Sequence, residues 1–400
     1  LYSVQTIYLY YSYKYMYADE NGPQYNPNSV YPEVTTNNEL PRKITIKETY
    51  EINDMRQAND FKGVSFSDYK KGDVKKQLID AMLCNKLETA CYWSAELICA
   101  GHFSDLWEII LYFTSKHIHI GNPKIAIYLE MRYNIFRNIM NKANIVNEID
   151  ARNDEECRKL FAEVMITLSL SQRKMSFEEV KIKRHEDFDM TYMKERLKAP
   201  SMKYAESFFM QKDPKEIFIA LNEFAYSISS ESANITNACY WFEWLIEFDA
   251  SCKKRKLQCK CEPRNHPIEA KFRSDVIWVL WDAIMYYGET LNIPLVTKTL
   301  QSLLRLFCIR YTNACGKRRK YMLYYAISLI TETVPVNIHL VENKDLLSSG
   351  LSKVNFIYKQ VKKNEQTPST EYLFHNIDKQ MALERSMKQM EIINSLDSIR

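Results

Sequence analysis

A mainly α-helical chain, built from a duplicated helical unit behind an extended N-terminal arm, is the fold class this sequence predicts. Three observations predict it. Glycine is scarce, 8 residues in 400. That leaves few positions for left-handed turns and tight hairpins. Apolar residues recur at helical spacing along most of the chain, as at Val74, Leu78, Ala81 and Met82. Finally, Ala90-Cys91-Tyr92-Trp93 returns as Ala238-Cys239-Tyr240-Trp241. Each copy is followed by a Ser-Asp before an apolar run (Ser104, Ser274) and then by an asparagine with a proline one or two residues on (Asn122-Pro123, Asn292-Ile293-Pro294). The offset is 148 residues at the cysteines and 170 at the serines and asparagines, so the second copy carries about 22 extra residues after Asp249. Repetition at fixed order is the signature of a reused structural unit.

Residues 1–70 differ from the rest. Tyrosines crowd the first 17 residues, an Asn- and Pro-rich stretch follows, and Lys43 to Ile52 alternates polar and apolar as one strand would. This region reads as an extended, tyrosine-rich arm that lies on a partner, or as a disordered tail. The first repeat plus its linker spans 71–200. Helices are expected from Asp73, over Thr89 to Ala100 with Gly101 closing it, after a Ser104 cap, after Asn122-Pro123, and between Asn144 and Lys181. A charged stretch ending at Pro200 reads as the linker. The second repeat, 201–345, should hold two helices broken near Asp213-Pro214. Further helices are expected over Asn237 to Phe248, after a Ser274 cap and from Pro294, with a Cys-rich basic insertion at 250–273. Residues 346–400 read as a charged helix or tail, with Leu383, Met387, Met390 and Ile393 at helical spacing.

Composition narrows the function classes. Lys and Arg number 54 against 50 Asp and Glu, a net charge of +4, which does not mark a dedicated nucleic-acid binder. The 27 tyrosines and 6 tryptophans suit extensive interfaces, although codon bias offers a plainer explanation. The opening segment shows no basic n-region or cleavage site, and no 18 residues run apolar without a charge. The ten cysteines therefore read as buried thiols of a protein made in a reducing compartment.

Cys91 and Cys239 occupy matching repeat positions, and no base accompanies both. They read, with Tyr92, Trp93, Tyr240 and Trp241, as packing and interface residues, the two tryptophans buried alike. The insertion holds Cys252, Cys259, Cys261 and His266 in a Cys-x6-Cys-x-Cys-x4-His spacing that could hold zinc, without the usual paired Cys-x2-Cys knuckles. Free thiols, or a disulfide from Cys252 to Cys259 or Cys261, are the other readings. Apart from that zinc no cofactor is expected. Two basic patches, Lys253-Lys254-Arg255-Lys256 and Lys317-Arg318-Arg319-Lys320, could meet phosphates or anionic lipid heads, or serve as a solvated or salt-bridged face. His117 and His119 read as helix-end histidines. There is no GxxxxGK, GxGxxG or GxSxG motif, and no residue set recommends an enzyme.

The repeated blocks ETACYWSAELICAGHFSDLWEIILYFTSKHI and TNACYWFEWLIEF with SDVIWVLWDAI, together with SFSDYKKGDVKKQLIDAM ahead of them, resemble minor virion proteins of the nucleocytoplasmic large DNA viruses. The resemblance spans roughly residues 60 to 340. It implies a non-enzymatic structural role in the virion capsid shell, assembled in the host cytoplasm. It also implies major capsid protein and other minor capsid proteins as partners, with the inner viral membrane surface as a further contact. The alternative reading is a nucleic-acid-binding or transcription-associated factor that uses the basic insertion, with or without zinc.

Overall fold

Helices account for nearly all the regular structure in the computed structural model, which describes residues 50–142, 147–255, 259–366 and 384–388. Among the described residues there is no β-strand, only an isolated bridge between Val64 and Lys70. The chain divides at Thr49, and the account below is of the unit that begins at Tyr50. The proposed tyrosine-rich arm up to residue 49, most of the Lys43 to Ile52 strand, and Leu383, Met390 and Ile393 lie outside the described residues.

The first copy comprises α1 (Lys71–Leu83), α2 (Leu87–Cys99), α3 (Phe103–Phe113), α4 (Lys124–Lys142) and α5 (Glu155–Leu170). Two short helices, α6 (Arg184–Asp187) and α7 (Met190–Arg196), lead into the second. That copy comprises α8 (Phe218–Ile228), α9 (Ile235–Lys254), α10 (Val276–Thr290), α11 (Pro294–Phe307), the four-residue α12 (Cys315–Arg318) and α13 (Lys320–Thr331). The chain continues through α14 (Lys344–Ser352) and α15 (Val354–Lys362).

The two copies pack in the same way. In the first, α1 contacts α2, α3 and α5, α2 also contacts α3 and α5, and α4 contacts α5. In the second, α8, α9, α10, α11 and α13 take the same places and repeat every one of those pairings. Cys-Tyr-Trp lies on the second helix of each set. The copies meet mainly through their fourth helices, α4 against α11, and through α13 against α3 and the segment that follows it. Pro123, just ahead of α4, accepts from Thr299 Oγ1 and Tyr325 Oη, each at 3.3 Å. One difference lies after the third helix. Where α10 runs on as α-helix, α3 passes into a π-helix (Thr114–Ile118) and a 3-10 turn (His119–Gly121).

Several expected boundaries move. Gly101 does close α2, at φ +75. Ser104 and Ser274 are not caps: α3 starts one residue earlier behind His102, and α10 starts two residues later behind Asp275, neither with a side-chain cap bond. The stretch 202–214 forms turns rather than a helix. Helix α9 runs to Lys254, so the insertion begins as helix. Two segments read as peripheral are packed. Ile52, Phe61 and Phe66, assigned to the arm, are buried. Helices α14 and α15, assigned to the tail, lie on α5 and α2 and bury Val354, Ile357, Tyr358 and Val361. The end of α15 is also tied to the chain ahead of α1: Met55 N donates to Gln366 O at 3.0 Å, and Gln366 N donates to Asp54 Oδ2 at 2.8 Å.

Candidate functional site

The Cys-Tyr-Trp helices come first, because the repeat singles them out. Cys91 and Cys239 are buried. Burial pushes the Cys91 thiol up to about 12 and raises Cys239 further. A thiol so raised is a packing group at neutral pH and a poor source of thiolate. Each tyrosine meets the following tryptophan edge to face, at 5.3 Å for Tyr92 and Trp93 and 5.2 Å for Tyr240 and Trp241. The surroundings then differ. Trp241 is buried, 2% exposed. Beside it Tyr240 Oη donates to Asp187 Oδ1 at 2.8 Å, and Arg196 stacks over the Tyr240 ring at 4.3 Å. Thus α6 and α7, read as a linker, cover the second copy's helix. Trp93 is only half-buried, contrary to the expectation of equal burial. Its outer neighbour is Tyr69, edge-on at 5.4 Å and itself 47% exposed. Phe356, 57% exposed, lines the same shallow groove, of about 330 Å³, with Tyr92 and Trp93. A second groove of about 340 Å³ holds Leu346 and Ile357, and Lys353 stands in the lining of both.

The four proposed zinc ligands do not converge. Cys252, Cys259 and Cys261 are buried, and burial, with the adjoining Cys252 thiol, pushes the Cys259 thiol up to about 12. His266 turns elsewhere: its Nε2 meets Asp282 Oδ1 at 3.1 Å and its ring lies 4.9 Å from that of Trp278. Among the described residues no three His, Cys, Asp or Glu side chains stand in a metal-binding group. The insertion is anchored by a residue the sequence reading passed over. Arg264, 2% exposed, spends all five of its N–H groups. Nε donates to Asp282 at 2.7 Å. Nη1 reaches Asp213 at 3.2 Å and Glu262 O at 3.0 Å. Nη2 reaches Asp213 at 2.6 Å and Phe208 O at 3.0 Å. A guanidinium thus ties the insertion to α10 and to the chain ahead of α8.

The basic patches are largely neutralised from within. Lys253 meets Asp249 at 2.8 Å and Asp275 at 2.7 Å. Lys317 pairs with Glu247 at 3.2 Å, and Lys320 with Glu179 at 2.5 Å and Glu243 at 3.4 Å. Arg318 and the buried Arg319 both hold Glu108, at 3.2 and 2.5 Å. Lys254 and Arg255 are exposed at the end of α9, while Lys256 lies outside the described residues. His117 and His119 do stand in the last turns of the π-helix and the 3-10 turn that follow α3. Both are buried, with Nδ1 of His117 2.6 Å from Ser176 Oγ and Nε2 of His119 3.0 Å from Met175 O. Their other ring nitrogens are buried without partners among the described residues.

An open cleft of about 1000 Å³ lies where the copies meet. It is walled by α3 and α4 on one side and by the chain from Arg305 to Arg319 on the other. Arg319 and Glu108 tie the two walls together. Nothing in the sequence marked this cleft, because its residues come from segments some 200 positions apart, as Arg319 and Glu108 are.

Compared with models of protein families, with curated proteins and with solved structures, the chain matches none.

Proposed function

We propose that this chain is a non-enzymatic structural protein of a large assembly, of the minor capsid kind that lies beneath a major capsid layer. Its partners on this reading are major capsid protein and other minor capsid proteins, with the inner membrane surface as a further contact, assembled in the host cytoplasm and held in the virion.

One observation carries the reading. The duplicated helix is closed in the second copy and open in the first. Trp241 is buried beside the Tyr240 that α6 and α7 cover, while Tyr69 and Phe356 leave aromatic surface in water around the partly exposed Trp93. Exposed aromatic clusters of this kind favour protein contact, since Tyr and Trp supply wide, stiff area with a polar handle. Lys353 and Glu88, paired at 2.5 Å across the grooves, are both exposed and exchange partners at little cost. Side chains at the centre of such a patch dominate binding once water is excluded.

The test is cross-linking mass spectrometry on purified particles, followed by assembly with a Trp93→Ala/Phe356→Ala double variant. Cross-links from α2 and α15 to capsid proteins, weakened in the variant, are expected. A chain absent from particles, or one incorporated equally well without those two side chains, would overturn the reading.

A further inference from the structure

The cleft between the copies holds more donors than its own acceptors consume. Its lining includes five arginines (137, 305, 310, 318 and 319) and four carboxylates, Asp105, Glu108, Glu130 and Glu148. The carboxylates are occupied. Asp105, at the rim, pairs with Lys71 at 2.7 Å, and Glu108 holds Arg318 and Arg319. Glu130 and Glu148 pair with Arg305 and Arg310 at 2.8 and 2.7 Å, in contacts whose arginines are 59% and 62% exposed and so easily exchanged.

Three donor groups remain unspent. Arg137 is exposed and makes no hydrogen bond or ion pair with the described residues. Trp107, 4% exposed, has a buried Nε1–H with no acceptor among them. The amino end of α3 opens onto the cleft at Phe103 and Ser104, and His102 provides no side-chain cap. Uncapped amides there carry the positive end of the helix dipole. The half-buried Tyr133 stands amid these groups. Burial raises its phenol, and Arg310, Arg137 and Arg319 act against that. Arg310 adopts φ +42, a backbone conformation seldom taken by residues other than glycine.

We propose that this cleft binds a phosphate-bearing ligand of nucleotide size, its phosphates on Arg137, Arg310 and the amino end of α3, its planar part against Tyr133. Guanidinium groups match phosphate oxygens in pairs, which favours phosphate over a single carboxylate. The volume suits a nucleotide and greatly exceeds what inorganic phosphate fills. The binding is independent of the assembly role proposed above.

Isothermal titration of the full chain with ATP, tripolyphosphate, adenosine and citrate tests this. ATP is expected to bind, tripolyphosphate more weakly, adenosine and citrate not detectably. An Arg137→Gln/Arg310→Gln variant, altered only at exposed side chains, should lose affinity for ATP by about tenfold or more with an unchanged melting curve. Trp107→Phe, which keeps the ring and removes the donor, should lose a smaller factor. Should the double variant fail to fold, competition of ATP binding by salt and by tripolyphosphate on the unaltered chain decides. The proposal is overturned by no ATP binding, by adenosine binding as well as ATP, by unchanged affinity in the double variant, or by no competition from tripolyphosphate. Binding of a single-stranded oligonucleotide without ATP binding would likewise overturn it.

Discussion

Truncating the two repeat tryptophans separately should cost the protein unequal amounts. A tryptophan buries about 150–250 Å² when enclosed, which at about 25 cal/mol/Å² amounts to about 4–6 kcal/mol as an upper bound. Measured truncations of large buried aromatics fall at about 3–5 kcal/mol. Trp241, 2% exposed, should lie in that range as Trp241→Ala. Trp93 is partly exposed, so Trp93→Ala should cost less by up to about a third of that burial, about 1–2 kcal/mol. The ring contact with the preceding tyrosine is nearly identical in both copies, 5.3 and 5.2 Å at 77°. It therefore cancels, and the gap of about 1–2 kcal/mol reports what lies outside the helix. Urea titration followed by far-ultraviolet circular dichroism, with m-values compared to confirm one transition, measures it. Equal losses, or a larger loss at Trp93, would refute the claim that the second helix is closed and the first is open.

Further predictions concern the insertion, the histidines and the thiols. Arg264→Met leaves the buried Asp213 without its partner and should destabilise by about 3–5 kcal/mol, whereas Arg264→Met/Asp213→Leu should recover part of that loss in the same titration. Burial, with neighbouring Lys116 and Arg173 for His117 and Lys174 for His119, holds both imidazoles down at about 4. The unfolded chain then binds more protons than the folded one between about 4 and the usual 6.5. Stability is complete above that window and falls as pH drops through it, and His117→Gln/His119→Gln should flatten the profile in pH-dependent melts. Native thiol labelling should mark the exposed Cys84 first and the buried Cys91 and Cys239 slowly, while Cys91→Ala costs roughly 1–3 kcal/mol in thermal melts. Fast labelling at Cys91 would mean an accessible thiolate.

Legibility tracked how local each determinant is. The helix of the first Cys-Tyr-Trp block was readable because its apolar spacing and Gly101 lie within a dozen residues of one another. Boundaries failed where flanking chain competed with local propensity. Ser104 looks like a cap in sequence, yet helix α3 begins at Phe103 because that ring is buried in the core. Residues 184–196 look like a charged linker. Their Asp187 and Arg196 become covering groups only because Tyr240 waits opposite them. The separation of His266 from the three cysteines was hidden for a related reason. Four soft ligands within 15 residues suggest a metal, but nothing in the spacing tells that Asp282, on α10, will claim His266.

By itself, the sequence determined the helical class, the recurrence of the Cys-Tyr-Trp helix and the burial of both its cysteines. These follow from side-chain periodicity and from the low cost of burying a thiol, properties that one helix carries with it. Only the tertiary structure decided which tryptophan stays open, that Arg264 organises the insertion, and that the arginines gather at a cleft between the copies. Each of these depends on partners far along the chain: Arg264 on Asp213, Arg319 on Glu108, Arg310 on Glu148. A charge near a surface is solvated until a distant carboxylate is brought to it, and chain packing alone determines which one arrives.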